Sequence, residues 1–367
     1  MRATMLVKSL LAQRWLVRLI PIAFLGLFVF AFAFTYIHVI PRRGSFSYDS
    51  LPVCDAEVEP VPTWRNFSIV LWTSYFNLEN HPAFDDSPLD AKQCPYTNCA
   101  FYVDREMVED ADAVVFHQAD MSLSDLPQTR RSHQRWIMFN QESPPNSFTL
   151  SPAYDNLFNW SMTYSRADDV VAPYFEVCRQ ANVSDANNEL GVEEKAWAAV
   201  WFVSNCRGPS NRMAYVEELQ NYITVDLIGA CSPHNIQCPK TNHKVCLDTF
   251  LPKYRFVLAF ENSICIDYVT EKLGNILPYD VIPIFWGGAD YGEFLPRESF
   301  VVASDYPKPK DLARALYRFR NNDLFRRTLS YRRGVRARGV SWKCRLCEKL
   351  NKSGNERSIR KHLYQAS

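Results

Sequence analysis

The chain has 367 residues, 41 Lys plus Arg against 40 Asp plus Glu, and a formal net charge of +1. Hydrophobic residues make up 47% and aromatics 14%, which is too apolar for a disordered chain and enough for one or two packed cores. The near-neutral balance argues against a general nucleic-acid binder, and 12 Gly without a period exclude collagen-like and repeat architectures.

Residues 1–18 carry Arg2, Lys8, Arg14 and Arg18 and no acid, and read as a cytosolic tail. Leu19–Ile40 contains no charged residue and, at about 1.5 Å per residue, spans about 33 Å as a helix, the thickness of a hydrocarbon core. Ala31-Phe-Ala33 offers a signal-peptidase-like site, but the apolar run continues past it, so 19–40 is read as an uncleaved transmembrane signal anchor. Everything beyond it is then lumenal. Eleven Cys, all after residue 53, fit disulfides in such a compartment, and the odd number leaves at least one unpaired. Four sequons, at Asn66, Asn159, Asn182 and Asn351, are candidate glycan acceptors.

Residues 41–65, with Pro41, Pro52, Pro60 and Pro62, read as a stem. Short apolar runs follow at Phe67–Trp72, Asp112–His117, Arg135–Asn140 and Phe158–Tyr164, each a buried-strand pattern. The polar, acidic stretch 182–195 is the linker. A second series then sets strands at Ala199–Ser204, Thr224–Gly229, Tyr254–Phe260 and Val281–Trp286, with helices at Asn211–Gln220, Tyr268–Leu277 and Asp311–Phe319. Apolar strands alternating with helical stretches predict a parallel α/β architecture in two domains, 66–185 and 196–367, with a cleft at the carboxyl ends of the strands.

Tyr254 to Gly288 carries the most chemistry. A strand runs into Glu261-Asn262-Ser263, then Asp267 as candidate N-cap, then a helix bearing Glu271 and Lys272. Free N–H groups at a helix start, with a cation beside them, suit a diphosphate, and a carboxylate suits sugar hydroxyls. The plainer reading is a parallel-sheet strand, loop and helix with surface charges. No glycine-rich phosphate loop is present. Asp110-Ala-Asp112 could hold a metal on a nucleotide, but it leads into a strand far from this segment and reads as strand-entry polarity. Cys344 and Cys347 sit in a basic tail with no standard zinc spacing around them, so structural disulfides are the expected use. The nine Arg between 314 and 338 read as solvated helix faces, and His117 and His133 as local hydrogen-bonders.

Phe256-Val-Leu-Ala-Phe-Glu-Asn-Ser263 followed by Asp267-Tyr-Val-Thr-Glu-Lys272 resembles the signature of the α1,3-fucosyltransferases, the inverting family that uses GDP-fucose. The similarity extends to Ser204-Asn205 with Arg212, to the region Phe139 to Pro173, and to Trp342-Lys-Cys-Arg-Leu-Cys347. It implies a GT-B-type fold, two Rossmann-like domains facing across a cleft, the first for the acceptor and the second for GDP-fucose. It implies diphosphate contacts from Arg212, Tyr268 and Lys272, a ribose contact from Glu271, and Asn262 near the phosphates. The base of the family lies in a phrase like F-E-S-P; here it stands as Phe139-Asn-Gln-Glu142-Ser-Pro144, longer than in many relatives, and the resemblance makes Glu142 the base. It also implies that Cys94 and Cys99 pair with Cys344 and Cys347.

The expected reaction moves L-fucose from GDP to O3 of a GlcNAc in a glycan with inversion, in the Golgi membrane as a type II protein. A Glu with a reference pKa of about 4.3 is ionised at lumenal pH and can take the acceptor proton. The chemistry requires no metal, and Mn²⁺ is expected at most to stimulate. The rival classes are a non-catalytic glycan-binding protein on the same fold and an unrelated secreted hydrolase with paired carboxylates.

Overall fold

The computed structural model describes residues 46–79, 81–182, 194–238 and 243–353. The expected anchor at 19–40 and the cytosolic tail lie outside them. Among the described residues no helix is long and apolar enough to cross a membrane.

Two parallel sheets form the framework. The first is built from β1 (Phe67–Leu71), β2 (Cys99–Tyr102), β3 (Ala113–His117), β4 (Arg135–Phe139), β5 (Trp160–Thr163) and β6 (Val170–Val171), in the spatial order β2-β1-β3-β4-β5-β6. All its pairings are parallel. Successive side chains go to opposite faces, as the pleat requires. Ile69, Leu71, Val115, Ile137 and Phe139 enter one core, and Val70, Val114, Phe116, Trp136 and Met138 the other. This two-sided burial is why the strands read as continuous apolar runs.

A short antiparallel ribbon follows, made by β7 (Glu176–Arg179) and a later strand. The second sheet contains β8 (Ala196–Phe202), β9 (Val225–Ile228), β10 (Tyr254–Phe260), β11 (Ile282–Trp286) and β12 (Val301–Val302), with α1 (Arg212–Leu219), α2 (His243–Phe250) and α3 (Glu271–Ile276) between them. Its order is β12-β11-β10-β8-β9, again all parallel. Helices α4 (Pro309–Tyr317) and α5 (Asn322–Ser330) close one face with α1, while α2 and α3 close the other. β13 (Val335–Arg338) then pairs antiparallel with β7, and α6 (Trp342–Lys352) ends the described chain.

Several boundaries differ from the expectation. Pro283 sits inside β11, whose neighbours β10 and β12 pair with it in register despite the missing donor. The helix expected over Tyr268–Leu277 is only Glu271–Ile276, and its N-cap is Thr270, not Asp267. Asp267 instead adopts a φ of 60°, outside right-handed helical space. Among its described residues the first lobe contains no α-helix of its own; its connections are loops and 3-10 turns such as Arg105–Asp110.

The packing also crosses the expected domain division. Helix α6, assigned to the second domain by sequence order, packs on the first sheet: Trp342, Leu346, Cys347 and Leu350 join the core of Ile69, Ile137 and Phe139. Trp342 stacks on Phe139 at 4.9 Å and donates to the Ala83 carbonyl at 2.9 Å. Conversely, Phe175 and Val177 belong to the second lobe's core. The helix supplies the face that the helix-poor first lobe cannot cover itself.

Two disulfides fix it there, Cys94–Cys344 and Cys99–Cys347. Three more join Cys54–Cys178, Cys206–Cys231 and Cys238–Cys246, and Cys265 is the free thiol. Of the sequons, Asn66 and Asn182 are exposed. Asn159 is not a glycan site in this fold: it is 4% exposed, and its carboxamide oxygen accepts from the Trp136 N–H at 2.9 Å and from Arg130 at 2.6 Å. Asn351 spends its amide protons on the Cys347 carbonyl at 2.9 Å and Asn98 at 3.0 Å, so a glycan there would displace both contacts.

Replacing Cys99 and Cys347 together by Ala is expected to lower stability by about 2–5 kcal/mol, because the bridge closes a very long loop. Denaturant titration checks this; an unchanged midpoint would mean that α6 docks by packing alone.

Candidate active site

In the second sheet the strand order reverses between β8 and β10, and in an open parallel sheet the ligand crevice lies at the carboxyl ends of the strands flanking that reversal. A cavity of about 470 Å³ opens there. Ser204 and Asn205 follow β8, Gly229 follows β9 and Asn262 follows β10; Arg212, Glu271 and Lys272 complete the wall. Gly229 is required by its backbone: its φ is 113°, and a Cβ at that position would meet the Val203 carbonyl oxygen at 2.6 Å. Four of the five donor-site residues read from the sequence therefore meet in one cavity. The fifth, Tyr268, is not part of its wall.

The cavity's geometry depends on Glu261, whose side chain is 3% exposed. Its carboxylate accepts from the Thr270 N–H at 2.9 Å, the Thr270 hydroxyl at 3.0 Å and the Lys272 ammonium at 2.9 Å. The carboxylate thus caps α3 from outside the helix, satisfying a donor at its start. It also holds Lys272 at the cavity edge. Helix α3 has six residues, too few for its dipole to be the positive element expected from the sequence. The positive charge of the site resides in side chains instead.

Arg212 is 3% exposed and mostly committed: it donates to the Phe260 carbonyl at 2.5 Å and to the Asn205 carbonyl at 2.8 Å, against the ring of Trp201. Burial lowers its pKa, and the charge of Glu261 opposes that. Two buried polar atoms in this wall, Nε of Arg212 and Oδ1 of Asn262, have no hydrogen-bond partner. They are a donor and an acceptor left unused beside the cavity.

Glu142 lies in the other lobe, three residues after β4. Its backbone N–H donates to the Asn140 side chain at 2.9 Å, and Asn140 is itself fixed by Gln118 and Ser147. The next residue crosses the cleft. Ser143 donates to the Ser263 hydroxyl at 2.7 Å, and Asn146 donates to the same oxygen at 3.1 Å. Both serines are fully buried. The loop of Glu142 is thereby clasped to the loop of Asn262.

Tyrosines from both lobes surround Glu142. Burial raises the phenol pKa values of Tyr75, Tyr174 and Tyr268, and the charge of Glu142 raises each further. Tyr268 is 2% exposed and packs on Tyr164 at 4.9 Å, while Tyr174 donates to the Gln141 carbonyl at 2.6 Å. These shifts keep all three phenols protonated, so each can act as a hydrogen-bond donor beside Glu142. Glu261, Ser143 and Ser263 are present in the motifs, but sequence gives no sign of which way a motif residue faces.

Asp112 serves strand entry: it accepts from the Ser68 N–H at 2.9 Å and pairs with Arg65 at 3.1 Å. Among the described residues no group of three or more His, Cys, Asp or Glu could hold a metal ion.

A parallel α/β lobe with a cavity at its switch point is the architecture of a nucleotide-binding domain. Residues 65–175 match the N-terminal fucosyltransferase domain, and residues 192–366 match glycosyltransferase family 10 (fucosyltransferase), C-terminal. The chain is 34% identical to the 4-galactosyl-N-acetylglucosaminide 3-alpha-L-fucosyltransferase FUT6 of Pongo pygmaeus, over 77% of this chain and 78% of that one. It is 33% identical to the GDP-fucose protein O-fucosyltransferase 3 of Xenopus laevis over 70% of this chain, and spans 56% of that longer protein. A crystal structure of an alpha1,3-fucosyltransferase with GDP-fucose superposes with a TM-score of 0.53 at 16% identity, covering 83% of this chain and 97% of the other. The chain belongs to glycosyltransferase family 10, the fucosyltransferases.

Glu261→Gln keeps the shape but removes the charge that Lys272 faces. It is expected to cost about 1–3 kcal/mol of stability, readable as a lower denaturation midpoint; no change would show that the buried pair does not hold α3.

Proposed function

We propose that the chain transfers L-fucose from GDP-β-L-fucose to O3 of a GlcNAc in a glycan, with inversion, on a GT-B-type frame. The reading assigns residues 66–185, with α6 packed beneath them, to the acceptor and residues 196–338 to the donor. The observation that carries it is the buried Ser143–Ser263 clasp, which sets the loop of Glu142 against the loop of the switch-point cavity lined by Arg212, Asn262, Glu271 and Lys272. Support for the donor comes from the family and from the GDP-fucose complex of its structural neighbour.

Glu142 takes the proton of the acceptor hydroxyl. The oxygen attacks the anomeric carbon from the face opposite GDP, and GDP departs as an anion. A departing diphosphate needs positive potential more than a proton. A cation about 4 Å from a phosphate oxygen is worth about 4 kcal/mol at an effective dielectric near 20. If realised only in the transition state, that is about three decades of rate. Lys272, 26% exposed at its side chain, is the cation that can reach the phosphates; Arg212 shapes the carbonyl rim and offers its unused Nε. Glu271, 54% exposed, has room to reach ribose hydroxyls. Tyr268 acts as a packing partner at the cleft rather than as a diphosphate ligand. In this reading no metal is required, with Mn²⁺ at most a stimulant. Residues 19–40 anchor the protein in the Golgi membrane as a single-pass type II protein.

A second acceptor reading follows from the likeness to a protein O-fucosyltransferase: the hydroxyl would then belong to Ser or Thr of a polypeptide. The same base and donor site serve either alcohol, so a panel of GlcNAc-terminated, N-acetyllactosamine and core N-glycan acceptors beside folded protein acceptors separates the two.

Lys272→Ala is expected to weaken GDP binding by about tenfold to a hundredfold, the value of one charge-assisted hydrogen bond; calorimetry reads it, and unchanged affinity would remove Lys272 from the phosphate site. Glu142→Gln should leave GDP affinity within about twofold while lowering kcat by at least about a hundredfold. Retained turnover would assign the base elsewhere.

A further inference from the structure

The first sheet has a strand-order reversal of its own, between β1 and β3, and open parallel sheets take their ligands at the carboxyl ends of the strands flanking such a reversal. There the chain leaving β1 makes a tight hairpin. Tyr75 and Leu78 exchange backbone hydrogen bonds at 3.2 and 3.1 Å. Between them Phe76 and Asn77 both have left-handed backbones, with φ of 52° and 58°. Asn and Gly are the usual occupants of such a turn, and Phe is a costly one.

A single carboxylate enforces it. Asp120, from the loop after β3, has a side chain only 3% exposed. Its Oδ2 accepts from the Phe76 N–H at 2.8 Å and faces His117 Nδ1 at 2.5 Å; its Oδ1 accepts from the Asn77 N–H at 2.6 Å and the Ser74 hydroxyl at 3.0 Å. The result is an aromatic ledge. Tyr75 lies on His117 at 4.4 Å and feels the charge of Glu142. Phe76 meets the rings of Tyr75 and His117 edge-on, at 4.9 and 4.7 Å, and remains 44% exposed; Leu78 is 55% exposed. A strained backbone that leaves Phe76 half-exposed, in edge contact with only two rings, adds little to the core. Such strain collects where a ligand is met.

We propose that the Tyr75–Leu78 hairpin is the acceptor ledge, with Phe76 packing on the C–H face of a pyranose ring of the acceptor saccharide while a hydroxyl of that saccharide reaches Glu142. A pyranose presents its axial hydrogens as an apolar face, and a rigid aromatic covers it at low entropic cost. The ledge is separate from the nucleotide cavity, so it sets acceptor affinity and not donor affinity. This inference rests on the fucosyltransferase reading given above.

The test compares wild type, Phe76→Asn and Phe76→Trp in the full chain, with an asialo biantennary N-glycopeptide as acceptor, which carries core and antennal GlcNAc together. Asn accepts the left-handed backbone, so Phe76→Asn should keep or raise Tm. It should leave GDP affinity within about twofold and raise the acceptor KM by about tenfold, with kcat at saturation little changed. Phe76→Trp should keep the low KM. A lower Tm with unchanged KM would make Phe76 a structural residue and overturn the ledge. A wild-type protein that binds GDP yet transfers no fucose to the glycopeptide would instead defeat the GlcNAc reading, and the ledge with it.

Discussion

The geometry of the site rests on one buried anion. Glu261 follows directly on β10, 2% exposed, in a place where an unpaired carboxylate would be prohibitively costly. The fold neutralises it locally with the Thr270 N–H, the Thr270 hydroxyl and the Lys272 ammonium. Each of those partners is fixed in return. Thr270 becomes the start of α3, Lys272 is drawn to the cavity edge, and the neighbouring Asn262 and Ser263 acquire their directions from the same turn. A buried charge and the partners that neutralise it thereby set where Lys272 stands.

From that turn the organisation passes to the other lobe through hydroxyls. Ser263 receives both Ser143 and Asn146, and those residues close the loop that begins at Glu142. Fully buried hydroxyl pairs tolerate little drift, since separating them strands polar atoms away from water. Farther out, the Asp267 carboxylate accepts from the Arg166 N–H at 3.1 Å, and Tyr164 packs on Tyr268. The cleft is thus pinned by short polar contacts at its centre and by aromatic packing beside it.

Much of this is legible from residues alone, and the limits have physical causes. The buried parallel strands announce themselves because both faces are covered, and Tyr254–Phe260 appears with the bounds expected. Helix α3 reads too long in the sequence because Asp267 looks like a cap, whereas Tyr268 and Val269 are taken into the interior before the helix can start. Arg212 is legible as a site residue but not as one whose guanidinium is spent on the backbone. Strands β7 and β13 leave little signal because a two-stranded ribbon gives only a four-residue trace in each segment. The exposed hairpin at Phe76 has no period to detect, and its left-handed turn lacks the glycine that would mark it.

The position of α6 has a bearing on how the polypeptide matures. Strands β1 to β6 are made early, yet one face of their sheet is finished only by Trp342, Leu346 and Leu350, which come from the far end of the chain. During synthesis that face is covered only in part, by Phe84 and its neighbours, and Cys94 and Cys99 lack their partners until α6 emerges. The N-terminal lobe must therefore wait for the C-terminal one, and its unfinished apolar surface is the part of the nascent protein that a chaperone or thiol oxidoreductase would meet first.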